Sequence, residues 1–239
     1  MPYLFDEHNL SSDVKFDIAR GYFSNVTPVN LFGFNETIGI TYETIAKDGG
    51  GITPFPSSAV QMSLVSTSAA DTMSVYIHGL DTNYNVLTET VTLSGLTPVT
   101  TTGSFLRINA AQITSGSNAG DISISNGGTE YAFIGAGIGI SQALIYTVPA
   151  NSKLYINSVN FTSGTVNPNK YLLGRAQMTT ADGAVLNFWQ STWAVGVLQF
   201  TVPVPFVVPE KCDFQLQAKS SSSENEISAY VNAHLVVNE

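Results

Sequence analysis

Hydrophobic and polar residues alternate along most of this chain with a period of two, which is the spacing of a β-strand and not of a helix. The alternation is clear from Thr72 to Gly95, where two such runs flank the turn-forming segment Gly79–Asn85. This stretch predicts a β-hairpin with one apolar face and one threonine-rich face. Because an apolar sheet face must be covered, the hairpin also predicts a second layer packed on it.

Similar short runs, separated by turn residues, continue to the C-terminus. The last of them, Ile227–Val237, alternates most cleanly and implies a packed β-sandwich, with a jelly roll as the expected form. Pro203, Pro205 and Pro209 limit their segment to an edge strand or a crossing loop. Residues 97–104 are predicted to connect the hairpin to the next strand. The further predicted strands are Val60–Thr67, Phe105–Ile108, Ala110–Thr114, Asp121–Ser125, Ala143–Val148, Lys153–Phe161, Tyr171–Thr179, Val185–Gln190, Gly196–Val202 and Asp213–Ala218.

The sequence therefore predicts an all-β protein in which an N-terminal arm is followed by β-sandwich or jelly-roll-like domains. The arm comprises residues 1–50, with a short helical turn at Asp13–Arg20 and one or two strands, one of them at Ile38–Ile45. It is expected to pack along a neighbour or along its own sheet. Residues 51–137 are predicted to form a β-rich domain, and residues 138–239 a jelly-roll-like β-sandwich.

The amino-acid composition limits the classes of partner that this protein is expected to bind. Only 11% of the 239 residues are charged and 44% are hydrophobic, so Ser, Thr and Asn supply much of the polar surface. Such a surface suits extended contacts with proteins or sugars. The net charge of −9, with nine scattered basic residues, argues against binding nucleic acid.

The sequence shows neither a secretory signal nor a membrane helix. The N-terminus lacks a basic start and an apolar run, and the most apolar stretch, Trp193–Val208, is shorter than the ~20 residues of a membrane helix. We therefore expect a soluble protein made in the cytoplasm. The single cysteine, Cys212, allows no internal disulfide and is predicted to be a small buried apolar residue.

Two segments come near to known ligand-binding motifs but depart from them. Asp81–Asn85 matches the first oxygen positions of a calcium loop, but Val86 stands where the glycine belongs and Thr92 where the bidentate glutamate belongs. A hairpin turn is the favoured interpretation. The segment Gly135–Ile140 has dinucleotide-like glycines, but Ile140 replaces the third glycine and no strand–helix unit surrounds it. An inter-domain linker or a close-packed strand is predicted instead.

No catalytic, cofactor or metal site is predicted. The three histidines, His8, His78 and His234, lie in unrelated segments, and no serine occupies a nucleophile elbow. His78 and His234 fall on polar strand faces, so surface positions are expected for both. The acids that would have to pair for sugar hydrolysis show no diagnostic spacing; they are Asp6, Glu7, Glu89, Glu224 and Glu226.

Several longer strings resemble a family of virion structural proteins of tailed bacteriophages. They comprise residues 18–51 with their glycine-rich break, the hairpin string GLDTNYNVLTETVTLSGLTPVTT, and the later IYTVPA segment. The resemblance runs from about Ile18 to Gly164, and more loosely through a Pro-Glu-Lys step to the final strand. It implies a component of a phage particle, whose position in the particle varies within the family.

The residues and the resemblance together favour a non-enzymatic virion protein. A capsid decoration, or cement, protein is the leading hypothesis, with self-association, a trimer as the expected oligomer, and the major capsid protein or other virion proteins as partners. Its acidic charge suits the outer capsid surface. A tail, collar or fibre-adaptor protein and a host-glycan-binding module remain as alternatives. The residues predicted to contact partners are Phe23, Phe32, Phe34, Trp189 and Trp193, and the glycan alternative would use the two tryptophans or the tyrosines.

Overall fold

The computed structural model describes residues 14–47, 55–164, 171–194, 196–222 and 225–238. Over these residues the chain is almost entirely β, as predicted, and its strand pairs are antiparallel. A short helix, α1, spans Val14–Ala19 and agrees with the helical turn expected there. No helix within the described ranges has the length and hydropathy needed to cross a membrane.

The strands, in chain order, are as follows. They are β1 (Val26–Ile38), β2 (Glu43–Thr44), β3 (Val60–Ser66), β4 (Ser74–Leu80), β5 (Val86–Thr92), β6 (Val99–Phe105), β7 (Arg107–Ile113), β8 (Ile122–Asn126), β9 (Thr129–Ile134), β10 (Ile145–Thr147), β11 (Ser152–Ser163), β12 (Leu172–Thr179), β13 (Val185–Trp193), β14 (Gly196–Val208), β15 (Asp213–Ser220) and β16 (Asn225–Val237).

β1 and β10–β16 form a two-layered sandwich. One sheet has the order β1-β16-β11-β14 and the other β10-β15-β12-β13, with β2 also pairing with β15. Along the chain, every step from β10 to β16 crosses between the two sheets except that from β12 to β13. This is the strand order of a jelly roll, so the predicted sandwich is confirmed and its topology defined. The proline-rich segment lies in β14, at a sheet edge as expected.

The chain leaves the jelly roll after β2 and returns to it at β10. Between these points β3–β9 form two further sheets, ordered β6-β3-β8-β9 and β5-β4-β7. This inserted unit has a core of its own, centred on Met62, Ile77, Phe105 and Ile124. The jelly-roll core takes residues from both ends of the chain, for example Leu31 and Val231. The predicted division at residues 50 and 137 stays a prediction.

The β-hairpin predicted for Thr72–Gly95 is confirmed. β4 and β5 pair in unbroken register from Ser74 opposite Thr92 to Leu80 opposite Val86. Their turn is held by the Asp81 carboxylate, which accepts hydrogen bonds from the backbone amides of Asn83 (2.7 Å) and Asn85 (2.9 Å). The carboxylate therefore serves the turn that was the favoured interpretation of this segment.

Two local predictions were wrong. The strand expected at Ile38–Ile45 is absent, because β1 ends at Ile38 and the chain turns before the two-residue β2. Glu43 holds this turn by accepting the Gly39 amide at 2.9 Å. The connector expected at 97–104 is largely strand β6, because Thr101 lies buried and its hydroxyl accepts the Met62 amide at 2.9 Å.

One end of the jelly-roll core is built from aromatic rings. Phe161 on β11 stacks on Trp189 at 5.5 Å and contacts Trp193 at 5.1 Å between ring centroids. Phe200 and Phe206 on β14 extend the cluster. β13 and β14 are edge strands of different sheets and do not pair with each other, and these rings fill the space between them.

We expect Gly33→Ala to lower the free energy of unfolding by about 1–3 kcal/mol. A Cβ at Gly33 would lie 2.3 Å from the Ile45 carbonyl oxygen and 2.8 Å from Leu144 Cγ, so the backbone beside β1 would have to move. Gly39→Ala is the matched control, since its Cβ would meet nothing within 4 Å. Urea unfolding followed by tryptophan fluorescence measures both variants. Equal stabilities would contradict the close packing at Gly33.

Candidate functional site

A buried ion pair joins the inserted unit to the jelly roll. Arg107, the first residue of β7, donates from Nε to Asp213 Oδ1 at 2.7 Å and from Nη2 to Oδ2 at 2.8 Å. Its Nη1 donates to the carbonyl oxygens of Pro56 and Leu106, both at 2.8 Å. The guanidinium thus has partners at all three nitrogens, which offsets much of the cost of burying its charge.

Neutral hydrogen bonds surround this ion pair. Asn109 on β7 and Thr147 on β10 exchange two bonds, from Asn109 Nδ2 to the Thr147 carbonyl (2.9 Å) and from the Thr147 amide to Asn109 Oδ1 (2.8 Å). The Thr147 hydroxyl donates to Asp213 Oδ1 at 2.6 Å. The hairpin tip adds a bond, because the Tyr84 carbonyl accepts the Ala150 amide at 2.9 Å. We call this set of residues, with Arg107, the joint.

Four separate segments of the sequence meet at the joint. Tyr84 belongs to the hairpin string, Arg107 to the strand after it, Thr147 to the IYTVPA segment and Asp213 to the segment after the Pro-Glu-Lys step. Sequence reasoning did not single out the ion pair. The available signal was a charged residue at the start of each of two strands with mainly uncharged residues, which indicates either an exposed position or a buried partner.

A cleft of about 370 Å³ opens between β1 and the inserted unit, where the two units join. We call it the joint cleft. Apolar side chains form most of its walls, and a few charged and amide groups stand among them. Its lining residues are Phe34, Glu36, Ala46, Lys47, Asp121, Phe133, Gly135, Ile138, Ile140 and Gln142. Clefts of this size and composition between two units of a protein are typical binding sites.

The glycine-rich segment 135–140 forms a rigid turn at the cleft. Gly137 and Gly139 have φ angles of 73° and 76°, which only glycine adopts without strain. The buried Asn118 holds the turn. It accepts the Gly137 amide on its carbonyl oxygen (2.8 Å) and the Gly139 amide on Oδ1 (3.1 Å), and its Nδ2 donates to the Gly135 carbonyl (2.8 Å). The predicted linker is therefore a fixed support for Ile138 and Ile140.

Acidic side chains outnumber basic ones among the residues that line the joint cleft. Lys47 is neutralised by Glu130, whose Oε2 lies 2.7 Å from Nζ, and its ammonium lies 4.0 Å from the centroid of the Phe133 ring. Glu36 and Asp121 add two further carboxylates. Asp121 Oδ1 accepts the Ala136 amide at 2.9 Å, which orients the carboxylate without neutralising it.

The structure brings two of the predicted partner-contact residues to this region. Phe34 lines the joint cleft, and Phe32 lines a smaller neighbouring hollow of about 120 Å³ that shares Ile140 and Gln142 with it. Phe32 is 44% exposed. Phe23 lies before β1, half-buried and outside both hollows.

The two tryptophans lie elsewhere, and one of them needs a correction. Trp193 is only 9% exposed and its ring packs on Phe161, so it is a core residue and offers no platform to a partner or a sugar. Trp189 is half-buried between Phe161 and Phe200. Core packing, the commoner role for such rings, accounts for both.

The remaining candidates do not assemble into a reactive site within the described ranges. The Glu89 carboxylate accepts the Thr102 and Gly103 amides, and Glu226 is exposed, while Asp6, Glu7, Glu224 and His8 lie outside the described residues. His78 is half-buried, which lowers its pKa, and His234 Nδ1 lies 2.8 Å from Asn157 Nδ2. Burial raises the pKa of the Cys212 thiol. No group of three or more His, Cys, Asp or Glu among the described residues could hold a metal ion.

Comparison with known proteins gives weak likenesses only. No protein-family model matches the sequence, and no curated protein matches it. Among solved structures, the crystal structure of the infectious bursal disease virus VP2 subviral particle is 10% identical, with 89% of this chain and 71% of that chain covered and a TM-score of 0.27. The structure of the Gt strain of the same virus is 8% identical, with 90% of this chain and 78% of that chain covered and a TM-score of 0.20. At such scores the strand order, and not the likeness, defines the jelly roll.

We expect Asp213→Ala to cost about 3–5 kcal/mol of stability, because it leaves the Arg107 guanidinium buried without its anion. Glu130→Ala is the control, since it removes the partner of the more exposed Lys47 and should cost about 0–1 kcal/mol. The double variant Arg107→Met/Asp213→Leu should regain most of the loss. Thermal and urea unfolding measure all three. Similar costs for the two single variants would contradict the role of the joint.

Proposed function

We propose that this chain is a non-enzymatic structural protein of a tailed-bacteriophage particle, which decorates the head and stabilises it through contacts between subunits. The observation that carries the proposal is the jelly-roll strand order, β1-β16-β11-β14 against β10-β15-β12-β13. Jelly rolls are a recurrent architecture of viral shells, because the sandwich buries its core completely while its two outer faces and its loops remain for packing against neighbours.

The joint supports a mechanical role. Arg107 and Asp213 hold the inserted unit on the jelly roll through buried, charge-assisted hydrogen bonds. A rigid two-part protein can transmit force between neighbours, which a shell-stabilising protein must do. The strings that resemble phage virion proteins contribute residues to this joint, which connects the resemblance to a physical feature of the fold.

Charge and exposed apolar residues support an outer position and contacts with other subunits. A net charge of −9 is repelled by packaged DNA and suits the outside of the head. Exposed large apolar side chains lie on the jelly-roll sheet that contains β14, among them Phe32, Val197 and Val204. Such residues mark protein interfaces when they occur together. We propose a homo-oligomer, with a trimer at three-fold positions, in contact with the major capsid protein.

One observation favours a second function, recognition of an uncharged host glycan. On the outer face of the β1-β16-β11-β14 sheet, Phe32 stands directly opposite Tyr230, and both rings are exposed. Tyr230 Oη and Asn232 Nδ2 donate to Asn30 Oδ1 at 2.6 and 2.9 Å, so these amides are already ordered. Aromatic rings beside fixed amides suit the apolar faces and hydroxyls of sugars.

The position of the chain in whole particles tests the leading proposal. Reconstruction of purified virions is expected to show its density on the outer head surface, and mass spectrometry a copy number comparable with that of the major capsid protein. Particles assembled without the chain should lose their genome at a lower temperature. Density confined to the tail, collar or fibre attachment, at the copy number of those parts, would replace the head assignment. Virions that lack the chain would overturn both.

A glycan array tests the second function. If the ring pair binds sugar, Tyr230→Ala should reduce binding by about tenfold, because stacking and an ordered hydroxyl are lost together. Phe16→Ala, which removes another exposed ring that lies on α1, is the control and should bind as the unmodified protein does. An array without signal for the unmodified protein would remove this function.

A further inference from the structure

We propose that Tyr42, Arg175 and Lys219 form a binding site for a sugar unit that carries a carboxylate, such as a hexuronic acid. We call these three residues the Tyr42 cluster. Its two cations lie on the outer face of the β10-β15-β12-β13 sheet, whereas the Phe32–Tyr230 ring pair lies on the outer face of the other sheet. The inference therefore concerns a separate surface and does not depend on the proposed function.

The strand pattern turns both cations of the cluster away from the jelly-roll core. On β12 Arg175 precedes the buried Ala176, and on β15 Lys219 follows the buried Ala218. The Tyr42 ring, just before β2, holds both side chains, because Arg175 Cζ lies 4.0 Å and Lys219 Nζ 4.8 Å from its centroid. Attraction between a cation and an aromatic face keeps the two charges close to this one ring.

Neither cation is neutralised by the protein itself. In the part of the chain that the structure describes, Arg175 and Lys219 make no ion pair. Glu43, the acidic residue of β2, is engaged elsewhere, since its carboxylate accepts the Gly39 amide and Asn35 Nδ2. Two positive charges beside one ring repel each other, so an anion placed between them is bound favourably.

The guanidinium selects the kind of anion. Arg175 Nε donates to Gln217 Oε1 at 2.7 Å, while its two Nη nitrogens have no hydrogen-bond partner within the described ranges. Two parallel N–H donors at one edge of a guanidinium match the two oxygens of a carboxylate. A polyanion such as a nucleic acid is disfavoured, because the net charge of −9 repels it.

Two amides flank the guanidinium and favour a sugar as the carrier of the carboxylate. In the strand register, Arg175 stands opposite Gln217 on β15 and Gln190 on β13. Gln190 is exposed and Gln217 half-buried, and neither Nε2 has a hydrogen-bond partner among the residues described. Neighbouring strands lie ~4.8 Å apart, so an amide stands on each side of a bound carboxylate. Amides both donate and accept, which suits the hydroxyl groups around a hexuronic acid ring.

Binding of small probes to the full-length protein tests the inference. The probes are methyl glucuronide, methyl glucoside, acetate, and an acetylated, amidated Gly-Glu-Gly peptide. Calorimetric titration measures the affinities, and the Nε–H NMR signal of Arg175, one of three arginines, locates the binding. We expect methyl glucuronide to shift this signal and to bind about tenfold more tightly than each other probe, because only it combines a carboxylate with ring hydroxyls. Raising the salt concentration should weaken its binding.

Matched variants separate the cluster from the net charge. Arg175→Gln should weaken binding of methyl glucuronide about tenfold and Lys219→Gln about threefold. Arg175→Lys keeps the charge but loses the two parallel donors, so its loss should be smaller than that of Arg175→Gln. Arg20→Gln and Lys153→Gln each remove one positive charge at an exposed position and should leave binding unchanged.

Three results would overturn the inference. Equal affinities for methyl glucuronide and methyl glucoside would remove the carboxylate from the site. Acetate or the peptide bound as tightly as methyl glucuronide would remove the sugar, since charge alone would then suffice. Equal losses in the cluster variants and their controls, or a shift confined to Arg20 or Arg107, would remove the Tyr42 cluster as the location. None of these results depends on whether the chain is found in virions.

Discussion

The bidentate contact between Arg107 and Asp213 is the interaction on which the arrangement of the two units depends. The inserted unit and the jelly roll each have a complete apolar core, so neither core specifies how the other unit sits. Hydrogen bonds with fixed directions supply that specification, since two parallel bonds between a guanidinium and a carboxylate require the two planar groups to face each other edge to edge. The Asn109 and Thr147 pair adds two more bonds with the same requirement.

Outside the joint, the fold depends on few charged side chains. Uncharged polar side chains hold its turns and strand irregularities, as Asn118 and Thr101 show, and both accept backbone amides. Such short side chains bond locally and fix a loop without long-range fields.

The geometry unites features that were separate along the chain. The glycine-rich segment suggested a nucleotide loop by composition, yet it supports the two isoleucines that border the joint cleft. Phe34 was expected to contact a partner because of its aromatic N-terminal setting, and it lines the same cleft. The jelly roll and the joint together describe a two-part protein whose units are held against each other by buried polar bonds.

Sequence alone determined the elements whose signal is local. Alternation predicted the β4–β5 hairpin and β16, and proline placement predicted an edge position for the segment in β14, because each depends on neighbouring residues only. The sequence patterns missed β6, because its threonines are typical of a connecting segment. They also misplaced the first strand, which ends before the turn that Glu43 holds. Tertiary structure decided which strands pair, and so placed β1 beside β16. It also joined Arg107 to Asp213 across 106 residues. Contacts at such separation depend on how the sheets pack, and no periodicity in the sequence records that.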